Sequence, residues 1–160
     1  MIQFALRPAP RTSLPRAIAR IALGAFLLLA GISHLTWSRE AFQAQVPTWL
    51  PLDTDFVVLA SGVVEILLGL ALLLLARWRV PVGWITAAFF VAVFPGNISQ
   101  FTTGTDSFGL NTDLARGIRL LFQPLLVIWA LWATGAWQAW RRSRLERRDR
   151  ADEAPETARR

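Results

Sequence analysis

Four apolar stretches, each long enough to cross a lipid bilayer, constrain this chain more than any other feature. A membrane-spanning helix needs about 20 mostly apolar residues, and such stretches lie at 17–35, 56–76, 80–101 and 117–137. Hydrophobic residues make up 54% of the 160-residue chain, and they come in long runs. The sequence therefore predicts an all-α fold: an integral membrane four-helix bundle without a separate soluble domain.

Charge sets the predicted orientation of the bundle. Two connections, 36–55 and 102–116, are mainly acidic, whereas arginines lie before the first stretch, between the second and third, and after the fourth. The positive-inside rule then predicts that both termini are cytoplasmic, with a basic N-terminal segment at 1–16 and a charged tail at 141–160. The clustered arginines are Arg7, Arg11, Arg16, Arg20, Arg77, Arg79, Arg141, Arg142, Arg144, Arg147, Arg148 and Arg150.

The tail is predicted to continue the fourth helix for a turn or two and then fray, because it is charged and poor in apolar residues. A rival interpretation of the N-terminus is a cleaved secretory signal at IALGAFLLLAG. No A-x-A-like cleavage site follows Gly31, which favours an uncleaved first helix. All seventeen basic residues are Arg, a bias typical of bacteria, so we expect the bacterial cytoplasmic (inner) membrane.

Composition excludes several functions. The chain has no Cys, so a disulfide, a thiolate metal site and a CxxC redox pair are all excluded. One His does not make a tight metal site, and we expect no metal. The net charge of +6 sits beside the apolar stretches, which indicates membrane topology rather than nucleic-acid binding.

Polar side chains within the apolar stretches are the candidate site. Glu65 lies in SGVVEILLGLALLLLA, and a carboxylate in the bilayer costs at least about 2.5–3.5 kcal/mol, so it should face the bundle interior. Pro95 and Pro124 each remove a helical hydrogen bond nearby and favour a wet or ligand-sized cavity. The candidate ligand-binding residues at this level are His34, Glu65, Asn97, Gln100, Arg119 and Gln123.

Two structural alternatives stay open. In the first, Glu65 serves no ligand: an ion pair with Arg119 or with His34 fixes the helix register, and the amides join helices. The connection WSREAFQAQVPTWLPLDTD is predicted to contain a short helix capped by Ser38. That connection is either an apolar hook in the headgroup region or a lid over a ligand.

Several motifs together resemble the DoxX family of small four-helix bacterial membrane proteins. They are GISHLTW, VPTWLP, SGVVEILLGLALLL, VFPGNISQF and RLLFQPLLVIWALWA, in family-like order between residues 20 and 137. The resemblance implies a cytoplasmic-membrane bundle linked to quinone-dependent oxidation of sulfur compounds, with a fold similar to that of vitamin K epoxide reductases. Epoxide-reductase chemistry depends on cysteines, which this chain lacks.

Three functions follow as hypotheses. The first is a quinone-interacting accessory subunit of a membrane redox system, without an intrinsic cofactor. The second is binding or transport of a small polar solute or of protons through the same cavity. The third is a structural partner subunit. Partners under consideration are the lipid bilayer, a redox subunit and a second copy of the chain. The aromatic residues expected to hold the quinone ring and tail are Phe89, Phe90, Phe94, Phe122 and Trp129.

Overall fold

In the computed structural model, which describes residues 12–157, every regular element is a helix. A single 3-10 turn, Ala76–Trp78, joins the third and fourth helices. The helices are α1 (Leu14–Leu35), α2 (Arg39–Gln43), α3 (Thr54–Leu74), α4 (Arg79–Thr103), α5 (Asp113–Thr134) and α6 (Ala136–Thr157).

Four of these helices, α1, α3, α4 and α5, are long and apolar enough to cross a membrane. Their bounds lie within a few residues of the four predicted stretches, so the all-α four-helix prediction is confirmed and the chain is a multi-pass membrane protein. The connections 36–53 and 104–112 lie at one end of the bundle, here called the loop end. The 3-10 turn and α6 lie at the other, the tail end.

Glycines bring α1 and α3 into direct backbone contact. A Cβ atom on Gly31 would lie 2.5 Å from the carbonyl oxygen of Gly62, and one on Gly69 would lie 2.8 Å from that of Gly24. Small residues at such positions allow membrane helices to approach closely where no hydrophobic effect drives them together. The α1–α3 pair is therefore fixed in register along most of its length.

The apolar core fills the tail half of the bundle. Its members come from all four long helices, and all of them except Leu27, just past the middle of α1, lie in the part of their helix nearer the tail end. This half is closely packed, which leaves the loop half as the place for a cavity. The core residues are Leu23, Leu27, Leu68, Leu72, Val82, Ala87, Phe90 and Ala130.

The charged tail differs from the prediction. Instead of continuing the fourth long helix and fraying, the chain breaks at Gly135, where φ is +74°, and then forms a new helix as far as Thr157. Glycine adopts this left-handed conformation without a steric penalty and commonly ends helices. The residues that follow are rich in Arg, Ala and Glu, which favour helix even without a core to pack against. The predicted basic residues Arg7 and Arg11 lie outside the described part of the chain.

Candidate functional site

A cavity of about 820 Å³ occupies the loop half of the bundle. Side chains of α1, α3, α4, α5 and the 36–53 connection line it, and most of this lining is apolar. Five of the six predicted site residues are among them: His34, Glu65, Asn97, Arg119 and Gln123. The helical spacing that suggested a shared polar region therefore does bring residues of four helices together.

Glu65 pairs with His34 rather than with Arg119. His34 Nε2 lies 3.5 Å from Glu65 Oε2, and the two side chains are only 9% and 12% exposed. This separation is too long for a good hydrogen bond, and Glu65 Oε2 is buried without a hydrogen-bond partner in the part of the chain that the structure describes. Of the two ion pairs considered from the sequence, the structure contains the histidine pair, and it leaves the carboxyl group with unused capacity for hydrogen bonding.

The surroundings of His34 fix its tautomer. The Nδ1 atom lies 3.3 Å from the carbonyl oxygen of Val58 and 3.1 Å from Ser61 Oγ, and that hydroxyl also donates to the Val58 carbonyl. Because a carbonyl oxygen only accepts hydrogen bonds, Nδ1 carries a proton. Nε2 then faces Glu65 with a lone pair unless the ring is charged. The His34–Glu65 pair thus shares one exchangeable proton.

Arg119 enters the cavity from α5 and is held there by amides. Its Nη2 donates to Gln45 Oε1 at 2.6 Å and its Nε to Asn97 Oδ1 at 3.3 Å. No carboxylate lies within ion-pair distance of this guanidinium in the described residues. Nη1 has no hydrogen-bond partner among residues 12–157, so it is available to a ligand.

Asn97 and Gln123 support the site rather than offering free groups to it. Asn97 Nδ2 donates to Gln123 Oε1 at 2.9 Å, and Gln123 Nε2 donates to the carbonyl oxygen of Phe90 at 2.5 Å. This carbonyl adjoins that of Val91, which loses its usual helical donor because residue 95 is Pro. Gln123 therefore binds the carbonyl next to the one that Pro95 leaves without a helical donor.

Gln100 was predicted to belong to this site, and its placement is a correction. The side chain is 1% exposed and does not line the cavity. Its Nε2 points to the carbonyl oxygen of Thr105 at 3.4 Å, because the chain turns back at Gly104, where φ is +65°. Gln100 therefore stabilises the end of α4.

Arg116 lies one turn before Arg119 on α5, but it does not line the cavity. Instead, its guanidinium donates to Asp106 and Asp113 at 2.8 and 2.9 Å, and to the carbonyl oxygen of Gly104 at 2.8 Å. It fixes the 104–112 connection and is 7% exposed. One turn of α5 thus separates an arginine used for folding from one directed into the cavity.

The 36–53 connection covers the loop end of the cavity. Phe42, on α2, stacks on the His34 ring with centroids 3.4 Å apart and meets the edge of Phe108 at 4.6 Å. Ser107 Oγ donates to the carbonyl oxygen of Ala41 at 2.5 Å. The position of the short helix was predicted correctly, but Ser38 makes no side-chain cap. The lid alternative is the one that the contacts favour.

An ion pair outside the bundle anchors this lid. The Arg39 guanidinium binds Asp55 at the start of α3 through both of its carboxylate oxygens, and Gln43 Nε2 donates to the same carboxylate at 2.8 Å. The Asp55 carboxylate raises the pKa of Arg39 above its usual value. The sequence did not identify Phe42, Gln45 or Ser107 as site residues, because each acts through a contact between distant segments.

The predicted aromatic walls are partly present. Phe90, Phe122 and Trp129 line the cavity, whereas Phe89 and Phe94 do not. Phe89 packs against the apolar core instead. The described residues contain no group of three His, Cys, Asp or Glu that would hold a metal ion. The polar chemistry of the cavity thus rests on one arginine and one His–Glu pair.

One family model matches this chain, over residues 23–134. No curated protein and no solved structure matches it. The matched region begins within α1 and ends with α5, so it includes every polar residue of the cavity. The chain belongs to the family described as Domain of unknown function (DUF8561).

Proposed function

We propose that this protein binds the ring of a membrane quinone in its cavity and serves a membrane redox system as an accessory subunit. The observation that carries the proposal is Arg119, a guanidinium directed into an apolar cavity without a carboxylate partner in the described residues. A quinone oxygen is a suitable acceptor for its free Nη1 group. Aromatic side chains such as Phe90 and Trp129 provide flat walls for the ring.

The His34–Glu65 pair would supply the proton chemistry. Reduction of a quinone to a quinol consumes two electrons and two protons. The pair would give one proton, take up a replacement and give the second proton, while Arg119 stabilises negative charge on the ring oxygen. The electrons would come from a partner subunit, since the chain has no Cys. His34, Glu65 and Arg119 are therefore the residues that we expect to touch the ligand.

Asn97 and Gln123 have a different part in this proposal from the one suggested by the sequence. Their amide groups already bind each other, Arg119 and the Phe90 carbonyl. They would act as positioning residues, because a guanidinium held from two sides loses less entropy when a ligand binds.

Binding fits the packing better than flux of a solute or of protons. Below the polar groups, the tail half of the bundle is filled by leucines and other apolar side chains. Among the described residues this half also holds three buried polar side chains, Arg20, Thr86 and Thr134, but its apolar layer opposes the passage of ions and polar solutes. The solute-transport hypothesis would need a second conformation in which these residues separate.

The sequence resemblance to the DoxX family supports the same proposal, since its namesakes work with quinone-linked oxidation. We further propose that the protein resides in the bacterial cytoplasmic membrane with both termini inside. This placement rests on the arginines near the tail end and the acidic residues of the loop end.

Quinone titration of the purified protein in lipid nanodiscs tests the proposed function. Trp129, Trp37 and Trp49 line the cavity, so we expect saturable quenching of tryptophan fluorescence. Arg119→Gln should weaken the binding by about tenfold or more, the loss expected for a charge-assisted hydrogen bond. Arg147→Gln, an exposed arginine on α6, is the matched control and should bind normally. Quenching that never saturates, or that is equal in all three proteins, would overturn the proposal.

A further inference from the structure

The helices α1 and α5 diverge towards the loop end. Near the tail end they touch, because Trp129 Nε1 donates to the carbonyl oxygen of Ala19 at 3.0 Å. One turn closer to the tail end, the Arg16 guanidinium lies 5.8 Å from the centroid of the Trp132 ring. The two helices run antiparallel, so equal steps away from the Ala19–Trp129 contact reach equal levels in the membrane.

Seven residues from that contact, towards the loop end, the side chains of α1 and α5 on these faces are exposed. Phe26 follows Ala19 by seven positions and Phe122 precedes Trp129 by seven, which is two helical turns and about 10 Å. Residues two turns apart lie on the same face of a helix. Phe26 and Phe122 therefore lie on the faces of α1 and α5 that are in contact near the tail end. They are nonetheless 49% and 57% exposed. A gap therefore opens between α1 and α5 at this level.

The gap is continuous with the cavity. Phe26, Leu29 and Phe122 all line the cavity while they are exposed on the outer surface of the bundle. Their level lies within the apolar length of two membrane-spanning helices, where acyl chains surround the protein. The opening is apolar on both sides and faces lipid.

The loop end, by contrast, is closed by specific contacts. Phe42 covers His34, Gln45 binds Arg119, and Ser107 ties the two connections together. Trp37 and Trp49 of the lid also line the cavity and are 67% exposed, so entry from water is limited by the lid contacts around them, whereas a ligand entering from lipid would break none of these contacts.

We propose that the gap between α1 and α5 is a lateral portal, and that the ligand of the cavity is a long-chain amphiphile whose hydrocarbon tail lies in this gap. The inference rests on the proposed function for the polar head, and it adds the class of ligand and its route of entry. A hydrocarbon tail in this gap stays in surroundings as apolar as the acyl chains of the bilayer. The tail should therefore hold the ligand in the membrane at the level of the portal, while the ring decides affinity for the cavity.

Photolabelling in nanodiscs tests this proposal. The probe is a benzoquinone with a tail of about ten carbons that ends in a diazirine, and the control is the same tail without the ring. Labelling that is removed by excess tailless benzoquinone reports ring binding. We expect this competed labelling on peptides that contain Phe26, Leu29 and Phe122, and we expect Arg119→Gln to reduce it to the level of the ring-free control.

The outcomes separate the two proposals. If tailless benzoquinone competes but the competed labels fall on the 36–53 connection or on α4, the ring site exists and the portal is wrong. If nothing competes, the proposed function fails and the portal fails with it.

A second measurement uses the absence of native cysteines. Ala41→Cys with Ser107→Cys is designed to lock the lid by a disulfide under oxidation, because the Ser107 hydroxyl donates to the backbone carbonyl of Ala41. Each single variant is a control. We expect the long-tailed probe to exchange at an unchanged rate in the locked protein. Exchange that stops on oxidation and returns on reduction would place the entrance at the loop end and overturn the proposal.

Discussion

His34 occupies the space that a side chain on residue 62 would need. A Cβ atom on Gly62 would lie 2.7 Å from the Cβ of His34 and 3.0 Å from the carbonyl oxygen of Gly31. The close approach of α1 and α3 is what brings the imidazole within 3.5 Å of Glu65. A backbone contact made by glycines thus determines the geometry of the candidate proton-exchanging pair.

Substitution of the contacting glycines should destabilise the bundle and separate this pair. We expect Gly62→Ala to cost about 1–3 kcal/mol of unfolding free energy, since the backbone of the neighbouring helix must move. Thermal unfolding in detergent measures the loss. Gly117→Ala is the matched control, because a Cβ there would meet only Phe101 Cε2 at 3.6 Å. Equal unfolding temperatures for the two variants would contradict the contact.

Removal of the Glu65 charge should not unfold the protein. Glu65 Oε2 is buried without a hydrogen-bond partner, whereas the amide of Glu65→Gln can donate to His34 Nε2. We expect an unfolding free energy within about 1 kcal/mol of the parent or above it. Infrared difference spectra on quinone binding should lose the carboxyl band in this variant and keep it in Glu40→Gln. A strongly destabilised Glu65→Gln protein would show that the carboxylate has a structural partner.

Asn97 should affect quinone binding through Arg119. A double-mutant cycle with Asn97→Ala and Arg119→Gln, read as quinone affinity, should give a coupling of about 0.5–3 kcal/mol. The Nε–Oδ1 hydrogen bond between the two side chains is the reason. Ser99→Ala in place of Asn97→Ala is the control and should be additive. Additivity in both cycles would show that Asn97 does not position the guanidinium.

Phe42 should control access from the water side. Its ring stacks on His34 and contacts Phe108, so Phe42→Ala opens the loop end of the cavity and removes about 0.5–1.5 kcal/mol per aromatic pair. We expect faster exchange of tailless benzoquinone in stopped-flow quenching. Phe101→Ala, which does not line the cavity, should leave the rate unchanged. An unaltered rate for Phe42→Ala would mean that the lid does not limit exchange.

The proposed topology can be checked with single cysteines, since the chain contains none. Thr48→Cys on the lid connection and Arg147→Cys on α6 are both at exposed positions. In intact cells, a membrane-impermeant maleimide should label only Thr48→Cys, and permeabilisation should expose the other. Labelling of Arg147→Cys in intact cells would reverse the orientation drawn from the arginines.

Local properties of the sequence predicted the helices and most of the cavity residues. The length of an apolar run and the 3.6-residue period depend on neighbours in sequence, which is why the bounds of α3 and the inward direction of Glu65 were accessible. The sequence could not show whether His34 or Arg119 is the partner of Glu65, because that depends on how three helices are rotated relative to one another. The placement of Gln100 could not be predicted either, because the turn at Gly104 brings the carbonyl oxygen of Thr105 within reach of its side chain.

The different roles of the polar residues could not be predicted from the sequence either. Asn97 and Gln123 carry the same functional group as Gln45, yet only the folded arrangement makes Gln45 a lid contact to Arg119 and the other two a brace. Arg116 and Arg119 are three residues apart, yet one fixes the 104–112 connection and the other enters the cavity.

The quinone content of the purified protein decides whether the cavity holds a quinone. The protein is extracted from its native membrane into nanodiscs, and bound quinone is counted by mass spectrometry against the lipid that copurifies. We expect long-chain quinone well above the level of the surrounding lipid in the parent protein, a reduction to that level in Arg119→Gln, and full retention in Arg147→Gln. Quinone at the bulk lipid level in all three proteins would show that the cavity does not bind it.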